Sequence, residues 1–340
     1  MAVTIRDVAK EAGVSISTVS RALSSPNKVA DATREAVESV VVRLGYRPNK
    51  NARGLITGRS GTIGLIIPDL ENPYFGAVSK GVQERARAAG YSVYIGDFDE
   101  DPSIESTVVR SLAKQVDGII MCSPRSTDVE LGRLTSLVPT VLANRKFADV
   151  PSIVFDNGGM LRVLRHLTAL GHTTIAYAGG PEQSWSHRHR SEAFQEFGEA
   201  HGTTELIELG SFPPNFGGGV QAADLALASG ATAVVAYNDL IALGLLDRLR
   251  ERGVSVPEQI SIVGFDNVAV STFVRPNLTT IDQPRKHMGR MAADLLLSIL
   301  DADDAESTHI PRQLPVDLVV RQSTGEAPLS RRATGTTTAS

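Results

Sequence analysis

The first 45 residues place apolar side chains at helical spacing in three segments. Residues 4–24 (TIRDVAKEAGVSISTVSRALS) predict two short helices joined by one tight turn. Residues 31–44 (DATREAVESVVVRL) predict a third helix, whose apolar side chains recur every three or four positions and which ends at Gly45. The three helices together predict a small hydrophobic core.

The spacing within residues 4–24 is typical of a helix-turn-helix. Ala9 is small enough to let two helices approach, Gly13 can adopt a positive φ in the turn, and Val19 is the apolar residue that fixes the second helix. The hydroxyl groups of Thr4 and Ser15 stand where they can cap the free amides of a helix start. A second helix held in this way can enter the major groove of DNA. The alternative is a helical hairpin that only packs on a larger protein.

From residue 62 the pattern changes to short apolar runs that alternate with amphipathic stretches. This alternation predicts parallel sheets covered by helices on both faces, here in two Rossmann-like halves. The predicted strands are 62–67, 91–96, 117–122, 139–143 and 152–155 in the first half, and 173–178, 231–237, 260–265 and 278–281 in the second. The predicted helices are about 74–90, 104–115, 157–170, 187–201, 238–252 and 285–300.

Polar residues directly follow many of these strands. In open α/β sheets ligands bind beyond the carboxyl ends of the strands, so two facing halves would place these groups on opposite walls of one cleft. Carboxylates, amides and arginines suit a polyhydroxylated ligand, because each hydroxyl both donates and accepts hydrogen bonds. Taken singly, each residue is more readily explained as a turn residue or a helix cap. The residues are Asp69, Asn72, Ser123, Arg125, Asn144, Arg145, Asp156, Asn238, Asp239, Asp266 and Asn267.

Composition and charge narrow the function. A chain of 340 residues with 42% hydrophobic content exceeds one ordinary core and predicts two or three domains. Residues 1–59 carry 10 Lys and Arg against 5 Asp and Glu, whereas the remaining residues carry 24 against 33, so the N-terminal segment suits a polyanion. The single cysteine, Cys122, favours a reducing compartment. Without a membrane-length apolar run or a signal peptide, the sequence predicts a cytoplasmic protein with no membrane partner.

A short connector follows the third helix. Pro48 interrupts helical structure, and Asn49 can cap a brief helix over residues 50–57. A helix of about eight residues with a glycine inside is not stable alone in water, so it should fold only when something orders it. Leu55 and Ile56 lie between basic residues, a pattern suited to wedging between base steps while nearby charges hold phosphates. A plain basic linker is the alternative.

The sequence offers no enzyme chemistry. It contains no Gly-x-Ser-x-Gly elbow, Walker lysine loop or strand-linked Gly-x-Gly-x-x-Gly. His187 and His189 are two residues apart, which is a poor spacing for one metal on a helix face. We therefore predict a protein that is not an enzyme and holds no cofactor or metal.

Several runs in combination resemble the LacI/GalR family of bacterial transcription regulators, over about residues 3–324. The runs are DVAKEAGVSISTVSRAL, YRPNKNARGL, PDLENPYF, HLTALGHTTIAYAGG, YNDLIALG and SIVGFDN. The resemblance implies an α/β fold with an N-terminal three-helix helix-turn-helix DNA-binding domain and a hinge helix. A two-subdomain periplasmic-binding-protein-like core with Rossmann-like parallel sheets would follow. The implied boundaries are 1–48 for the helix-turn-helix domain, 49–60 for the hinge, 61–325 for the core (N-subdomain about 61–157 and 285–315, C-subdomain about 158–284 and 316–325) and 326–340 for a disordered tail.

The resemblance also implies a dimer that binds a palindromic operator in double-stranded DNA. The recognition helix would read bases through Ile16, Ser17 and Arg21, of which Arg21 can hold guanine by two hydrogen bonds. Leu55 would be the minor-groove wedge that unstacks a base step and bends the duplex. The implied DNA-binding set is Thr4, Ile5, Ser15, Ile16, Ser17, Thr18, Ser20, Arg21, Asn49, Ala52, Arg53 and Leu55.

For a small-molecule effector, the resemblance places Arg190 as the clamp on ligand hydroxyls or a carboxylate and Asp266 as an acceptor on the other half. Aromatic members of the set would stack on a sugar face, with the choice between Phe212 and Phe216 left open. Asp239 also matches a helix start that serves the architecture of its half. The implied effector-binding set is Asn72, Tyr74, Phe75, Ser123, Asn144, Asp156, Arg190, Phe212, Phe216, Asn238, Asp239 and Asp266.

Three functions stay open at this stage. The first is a repressor of carbohydrate uptake or catabolism genes controlled by a sugar; the second is a regulator that responds to a nucleobase or nucleoside. The third is a sugar-binding transport protein, which would need an export signal where this chain has a basic helix-turn-helix. A purine would favour aromatic stacking and few carboxylates, whereas Asp156, Asp239 and Asp266 favour a hydroxyl-rich ligand. We therefore predict a response to a sugar. The C-terminal leucine heptad of tetrameric relatives is missing, so we predict a homodimer.

Overall fold

The computed structural model describes residues 3–24, 29–46, 59–156, 158–200, 202, 204–302 and 312–328. The chain divides into two compact units, Met1–Gly61 and Thr62–Ser340. The predicted hinge helix, with Asn49, Ala52, Arg53 and Leu55, lies outside the described residues, and so do residues 329–340 of the predicted tail.

The first unit contains the three predicted helices, α1 (Ile5–Glu11), α2 (Ile16–Ser24) and α3 (Asp31–Leu44). Their shared core is built on Val8, Val19 and Val37, which are fully buried. Gly13 in the turn has a φ of 68°, and Gly45 ends α3 with a φ of 63°. Both therefore adopt the left-handed backbone conformation that favours glycine. The predicted helix-turn-helix is confirmed.

The two helix starts differ in their hydrogen bonds. The Ser15 hydroxyl accepts from the Thr18 amide at 3.1 Å, as predicted for a cap. The Thr4 hydroxyl also donates to the Asp7 carboxylate at 2.8 Å, and the same carboxylate oxygen accepts from the Thr4 amide at 2.8 Å. These bonds hold the pKa of Asp7 below its ordinary value. Thr4 and Asp7 form a capping box, in which the Thr4 side chain accepts from the Asp7 amide, so the predicted cap at Thr4 is confirmed.

The second unit consists of two lobes, each with one six-stranded sheet. The first lobe contains β1 (Thr62–Ile67), β2 (Ser92–Asp97), β3 (Gly118–Cys122), β4 (Thr140–Ala143), β5 (Ser152–Phe155) and β11 (Arg312–Leu314), with α4 (Pro73–Ala88), α5 (Pro102–Leu112), α6 (Asp128–Thr135) and α11 (Arg285–Asp301). Its strand order is β11-β5-β4-β3-β1-β2, and every neighbouring pair is parallel.

The second lobe contains β6 (Thr174–Gly179), β7 (Glu205–Ser211), β8 (Ala233–Ala236), β9 (Ser261–Asp266), β10 (Thr279–Asp282) and β12 (Asp317–Val319), with α7 (Gly158–Ala169), α8 (Trp185–Ala200), α9 (Phe216–Ala228) and α10 (Asp239–Glu251). Its strand order is β12-β10-β9-β8-β6-β7. The edge strand β12 is antiparallel to β10, because it enters directly from the first lobe without the helix that parallel neighbours need.

The predicted two-sheet α/β fold is confirmed. All nine predicted strands are present within about two residues of their predicted ends, and central strands such as β1 and β9 are buried along their whole length. The sequence pattern missed β7, β11, β12, α6 and α9. β7 is a half-exposed edge strand and β11 and β12 have three residues each, so none of them carries a continuous apolar run.

Two glycines permit close packing of α4 against α11. A Cβ atom on Gly81 would lie 2.1 Å from the Lys286 carbonyl oxygen, and one on Gly289 would lie 2.2 Å from the Val78 carbonyl oxygen. The two backbones therefore approach as closely as glycine allows.

Three chain crossings join the lobes. They lie between β5 and α7, between β10 and α11, and between β11 and β12. We call these crossings the hinge of the core.

The predicted disordered tail began at residue 326, but the Ala327 amide donates to the Leu170 carbonyl at 2.8 Å, so residues 326–328 pack on the second lobe.

Candidate functional site

The exposed face of α2 carries the predicted base-reading residues. Val19 and Ala22 face the core, while Ser17 and Arg21 lie on the exposed side. Ile16 is 44% exposed although it is apolar, which leaves a branched side chain available for contact with a base methyl group. Arg21, Ser17 and Ile16 thus present a cation, a hydroxyl and an apolar group to solvent.

The remaining described members of the predicted DNA-binding set surround that face. Thr4 and Ser15 are exposed, whereas Ile5, Thr18 and Ser20 are half-buried. The Ser15 hydroxyl lies 2.8 Å from the Thr18 hydroxyl, so the helix start is a small hydroxyl cluster suited to phosphate oxygens.

A cleft with two adjoining recesses lies between the lobes of the core. The polar chamber is lined by Asn72, Tyr74, Phe75, Glu100, Ser123, Arg125, Asn144, Ser186, Arg190, Pro214, Tyr237, Asn238, Asp266 and Gln283. The hinge chamber is lined by Asn144, Phe155, Asp156, Gly159, Met160, Trp185, Ser186, His189, Arg190, Phe265, Ile281, Gln283 and Val316. The two chambers share Asn144, Ser186, Arg190 and Gln283.

The structure brings most of the predicted effector-binding residues to this cleft. Those in the polar chamber are Asn72, Tyr74, Phe75, Ser123, Asn144, Arg190, Asn238 and Asp266. Asp156 lies in the hinge chamber. They converge because the carboxyl ends of the parallel strands in both lobes face the cleft.

Arg190 lies on α8 and Asp266 at the end of β9, so both belong to the second lobe, and the predicted placement of Asp266 on the other half is wrong. The two residues are linked through Gln283. With its amide oriented to satisfy both neighbours, Gln283 accepts from Arg190 Nη2 at 3.1 Å and donates to Asp266 Oδ1 at 3.2 Å. The Arg190 guanidinium also donates to the Tyr237 carbonyl and lies 4.0 Å from the ring centre of Phe265. Stacking and hydrogen bonding thus fix the arginine, which leaves a preorganised row of alternating donors and acceptors.

Burial has the largest effect on the pKa of Asp266. It raises the pKa of this carboxyl from 3.8 to about 7, although the positive charges of Arg190 and Arg285 act in the opposite direction. The residue has a φ of 109°, which holds its side chain at the end of β9. A carboxyl with this pKa can accept hydrogen bonds from a ligand when it is ionised and can donate one when it is protonated.

Arg125 and Glu100 form a partly buried ion pair in the polar chamber. The Nε–Oε2 and Nη2–Oε1 distances are 2.6 and 3.0 Å, and Arg125 Nη1 donates to the Ser123 carbonyl at 2.8 Å. The arginine is only 3% exposed. Because Glu100 binds it through both oxygens, its charge is compensated within the protein.

Two amides of the site serve local structure as well. Asn72 Oδ1 accepts from the Tyr74 amide at 2.9 Å and caps α4, and Asn238 Oδ1 accepts from the Ile241 amide at 2.9 Å and caps α10. The alternative role of helix cap therefore holds for both residues, which also line the polar chamber. The Asn238 Nδ2 atom donates to the Pro214 carbonyl at 2.8 Å.

Three predicted effector residues do not line either chamber. Asp239 is fully buried and accepts from the Thr280 hydroxyl at 2.6 Å and from the Val268 amide at 2.9 Å, so it joins α10 to the second sheet. Phe212 packs in the core, where it is 8% exposed, and Phe216 lies on the surface at the start of α9 with 46% exposed. Asp239 therefore stabilises the second lobe itself, and neither phenylalanine reaches the described cleft.

Sequence reasoning missed several lining residues as ligand candidates. Gln283 could have been found, because it directly follows β10 as Asp266 ends β9. Trp185 and Ser186 begin α8, and Tyr237 follows β8. The apolar residues of the hinge chamber carry no such signal, since Phe155, Met160 and Val316 are indistinguishable from core residues in the sequence.

Two negative findings concern the described residues. Within them, no helix has the length and apolar character required to cross a membrane. No group of three or more His, Cys, Asp or Glu side chains in that part of the chain is arranged to hold a metal ion.

Comparison with known proteins gives a consistent result. Residues 4–49 match bacterial regulatory proteins of the lacI family, and residues 164–324 match the periplasmic binding protein-like domain. The HTH-type transcriptional repressor CytR of Escherichia coli K12 is 34% identical over 339 residues, which span 96% of this chain and 98% of CytR.

Two solved structures extend the comparison. The lac repressor dimer bound to operator and the anti-inducer ONPF has a TM-score of 0.82 and 30% identity, covering 96% of this chain and all of that one. A LacI family regulator from Enterococcus faecium with bound ribose has a TM-score of 0.69 and 30% identity, covering 78% of this chain and 99% of that one.

A helix-turn-helix unit in one chain with a two-lobed α/β core is the domain combination of a DNA-binding transcription regulator. The matches over nearly the full length make the assignment specific. The chain belongs to the LacI family and is a DNA-binding transcriptional repressor.

Proposed function

We propose that this repressor acts as a homodimer on an inverted-repeat operator in the cytoplasm and that a sugar bound in the cleft controls it. The observation that carries the proposal is the row Arg190–Gln283–Asp266, which lines the second-lobe side of the cleft with alternating donors and acceptors in a chain that also presents an exposed recognition helix.

On the DNA side, base reading is assigned to the exposed face of α2. Arg21 is suited to hold guanine O6 and N7 by two hydrogen bonds, while Ser17 offers one hydrogen bond and Ile16 a methyl contact. Two copies of a helix are needed to read both halves of a symmetric site, and a relative of this chain binds its operator as a dimer.

On the effector side, the polar chamber suits hydroxyl groups. Ser123, Asn144 and Asp266 offer acceptors and donors within one recess, and the aromatic rings of Tyr74 and Phe75 flank them. Sugar recognition combines such polar groups with an aromatic wall, because a sugar ring has hydroxylated edges and apolar faces. A structural relative holds ribose, which supports a sugar ligand here.

The two lobes supply the switch. A ligand that contacts Ser123 of the first lobe and Asp266 of the second binds one relative orientation of the lobes better than others. Leu55, the predicted wedge of the 49–60 segment, is proposed to stay in the minor groove in only one relative orientation of the lobes. Coupling of this kind is typically about 1–3 kcal/mol between the two sites. Genes of carbohydrate uptake or catabolism are the proposed targets.

The test uses the purified full-length chain and an operator fragment selected from random inverted repeats. Fluorescence anisotropy should show preference for that fragment over bulk competitor DNA, and one member of a sugar panel should shift the affinity about five- to 150-fold. Arg190→Ala should abolish the sugar effect and leave the affinity of the effector-free protein for DNA unchanged.

Arg252→Ala is the matched control, because Arg252 pairs with Asp224 on the outer surface of the second lobe. It should respond to the sugar like the unmodified protein. Absence of any preference for an inverted repeat would refute the DNA-binding part of the proposal, and unchanged sugar affinity in Arg190→Ala would refute the cleft assignment.

A further inference from the structure

Three hydroxyl groups meet at the start of the recognition helix α2. Ser15 Oγ lies 2.7 Å from Ser17 Oγ and 2.8 Å from Thr18 Oγ1. The same Ser15 oxygen accepts a hydrogen bond from the Thr18 amide at 3.1 Å. We call these three side chains the hydroxyl relay, with Ser15 at its centre.

The number of hydrogens at the centre of the relay limits how its bonds can run. A serine hydroxyl carries one hydrogen and two lone pairs. The Thr18 amide occupies one lone pair of Ser15, so one hydrogen and one lone pair are left for two hydroxyl neighbours. Ser15 therefore donates to one neighbour and accepts from the other. Only one of Ser17 and Thr18 keeps its hydrogen for a partner outside the relay.

The positions of these two residues on α2 decide which of them keeps that hydrogen. Ser17 is exposed and lies one helical turn before Arg21, so it shares the face assigned to base reading. Thr18 is half-buried at the side of that face, next to the core residue Val19, where a helix in the major groove meets the DNA backbone. Phosphate oxygens only accept hydrogen bonds, so Thr18 must use its hydrogen there.

These constraints set the direction of both bonds when α2 lies on DNA. Thr18 donates to a phosphate and accepts from Ser15, and Ser15 accepts from Ser17. Ser17 then uses its only hydrogen within the relay and offers only lone pairs to the groove. In the major groove the amines of cytosine (N4) and adenine (N6) donate, whereas guanine O6 and thymine O4 accept.

We propose that Ser17 reads one base of each operator half-site as an acceptor only and therefore selects a base with an exocyclic amine, adenine or cytosine, over guanine and thymine. Ser15 and Thr18 are positioning residues that set this direction. A keto base at the same place would bring two acceptors together and leave both unsatisfied. The inference rests on the proposed function, since it takes base reading by α2 as given, and adds the chemical class of one base.

The test starts from the operator fragment that the full-length chain selects from random inverted repeats. Selection with Ser17→Ala locates the base pair that Ser17 reads, as the position whose preference is lost. Fluorescence anisotropy then compares the natural base pairs at this position with two analogue pairs built on the favoured orientation of A·T. 2-Aminopurine in place of the adenine removes the amine from the major groove, and 5-methyl-2-pyrimidinone in place of the thymine removes the keto oxygen.

Loss of the amine should weaken binding of the unmodified protein about two- to tenfold, which is the range expected of one hydrogen bond. Loss of the keto oxygen should leave the affinity unchanged. In Ser17→Ala the amine should no longer matter, which separates its contact with Ser17 from any effect of the analogue on the duplex itself.

Removal of the Thr18 hydroxyl tests the relay. In Thr18→Val, Ser15 is free to donate to Ser17, which regains a hydrogen for the groove. Discrimination between amine and keto bases at that one pair should then fall to within about twofold, while the preferences at the other pairs stay as in the unmodified protein. Thr33→Val is the matched control, because Thr33 lies in the first turn of α3 and outside the relay. It should keep the discrimination.

Three results would overturn the inference and leave operator binding intact. They are a cost for removing the keto oxygen instead of the amine, a base preference that does not change at any position in Ser17→Ala, and full discrimination in Thr18→Val. If the chain selects no inverted repeat at all, the proposed function fails as well.

Discussion

Replacing Asp266 by asparagine should stabilise the core at neutral and alkaline pH. In the folded protein burial raises the pKa of Asp266 to about 7, whereas its ordinary value is 3.8. Because the folded-state pKa is the higher one, the wild-type residue favours folding below pH 4, and this contribution is lost as the pH rises toward 7. An asparagine carries no charge in either state and avoids that loss.

The size of the effect follows from the shift. Each pH unit between the two pKa values corresponds to about 1.4 kcal/mol, so a shift of about three units gives an upper limit of about 4 kcal/mol. The attraction of the ionised carboxylate to Arg190 and Arg285 is already contained in the pKa of about 7. We therefore expect a gain of up to about 4 kcal/mol at pH 8 that shrinks toward zero near pH 4.

The assay is urea unfolding at pH 4.5, 6 and 8, followed by Trp185 fluorescence, which reports on the core alone. Asp317→Asn is the control, because Asp317 is exposed on β12. The gap in unfolding free energy between Asp266→Asn and wild type should widen with pH, whereas the control should stay parallel to wild type. A gap that does not change with pH would show that burial does not raise the pKa of Asp266.

Three further predictions concern other parts of the chain. Gly81→Ala should lower the unfolding free energy of the core by about 2 kcal/mol or more, because its Cβ would meet the Lys286 carbonyl. Gly76→Ala in the same helix is the control and should raise the unfolding free energy by up to about 1 kcal/mol. Equal melting temperatures of the two variants would contradict the close packing of α4 on α11. Leu55→Ala should weaken specific operator binding far more than nonspecific binding in a gel-shift series, and equal losses would exclude a wedge. Arg21→Ala should cost about 1–3 kcal/mol at one base position of the operator, measured by competition with single-base variants, and a uniform loss across all variants would instead indicate a phosphate contact.

The sequence by itself determined the elements whose signals are local. The spacing of Ala9, Gly13 and Val19 requires only neighbouring turns of helix. Eight of the nine predicted apolar runs of the core form mostly buried strands, because parallel strands are covered on both faces, and the ninth, β2, is a partly exposed edge strand. The strand-end rule likewise found Ser123 and Asp266, since it depends only on where each strand stops.

Tertiary structure decided which of these residues share a site and in what chemical state. Asp239 and Asp266 both lie at strand-to-helix junctions, yet one joins a helix to a sheet and the other faces the cleft, because the burial of each depends on elements distant in sequence. The hinge chamber draws Phe155 from β5, Ile281 from β10 and Val316 from the crossing between β11 and β12, and no local pattern distinguishes such residues from an ordinary core. Periodicity reports what each segment buries, whereas the cleft exists only where segments far apart in the chain leave space between them.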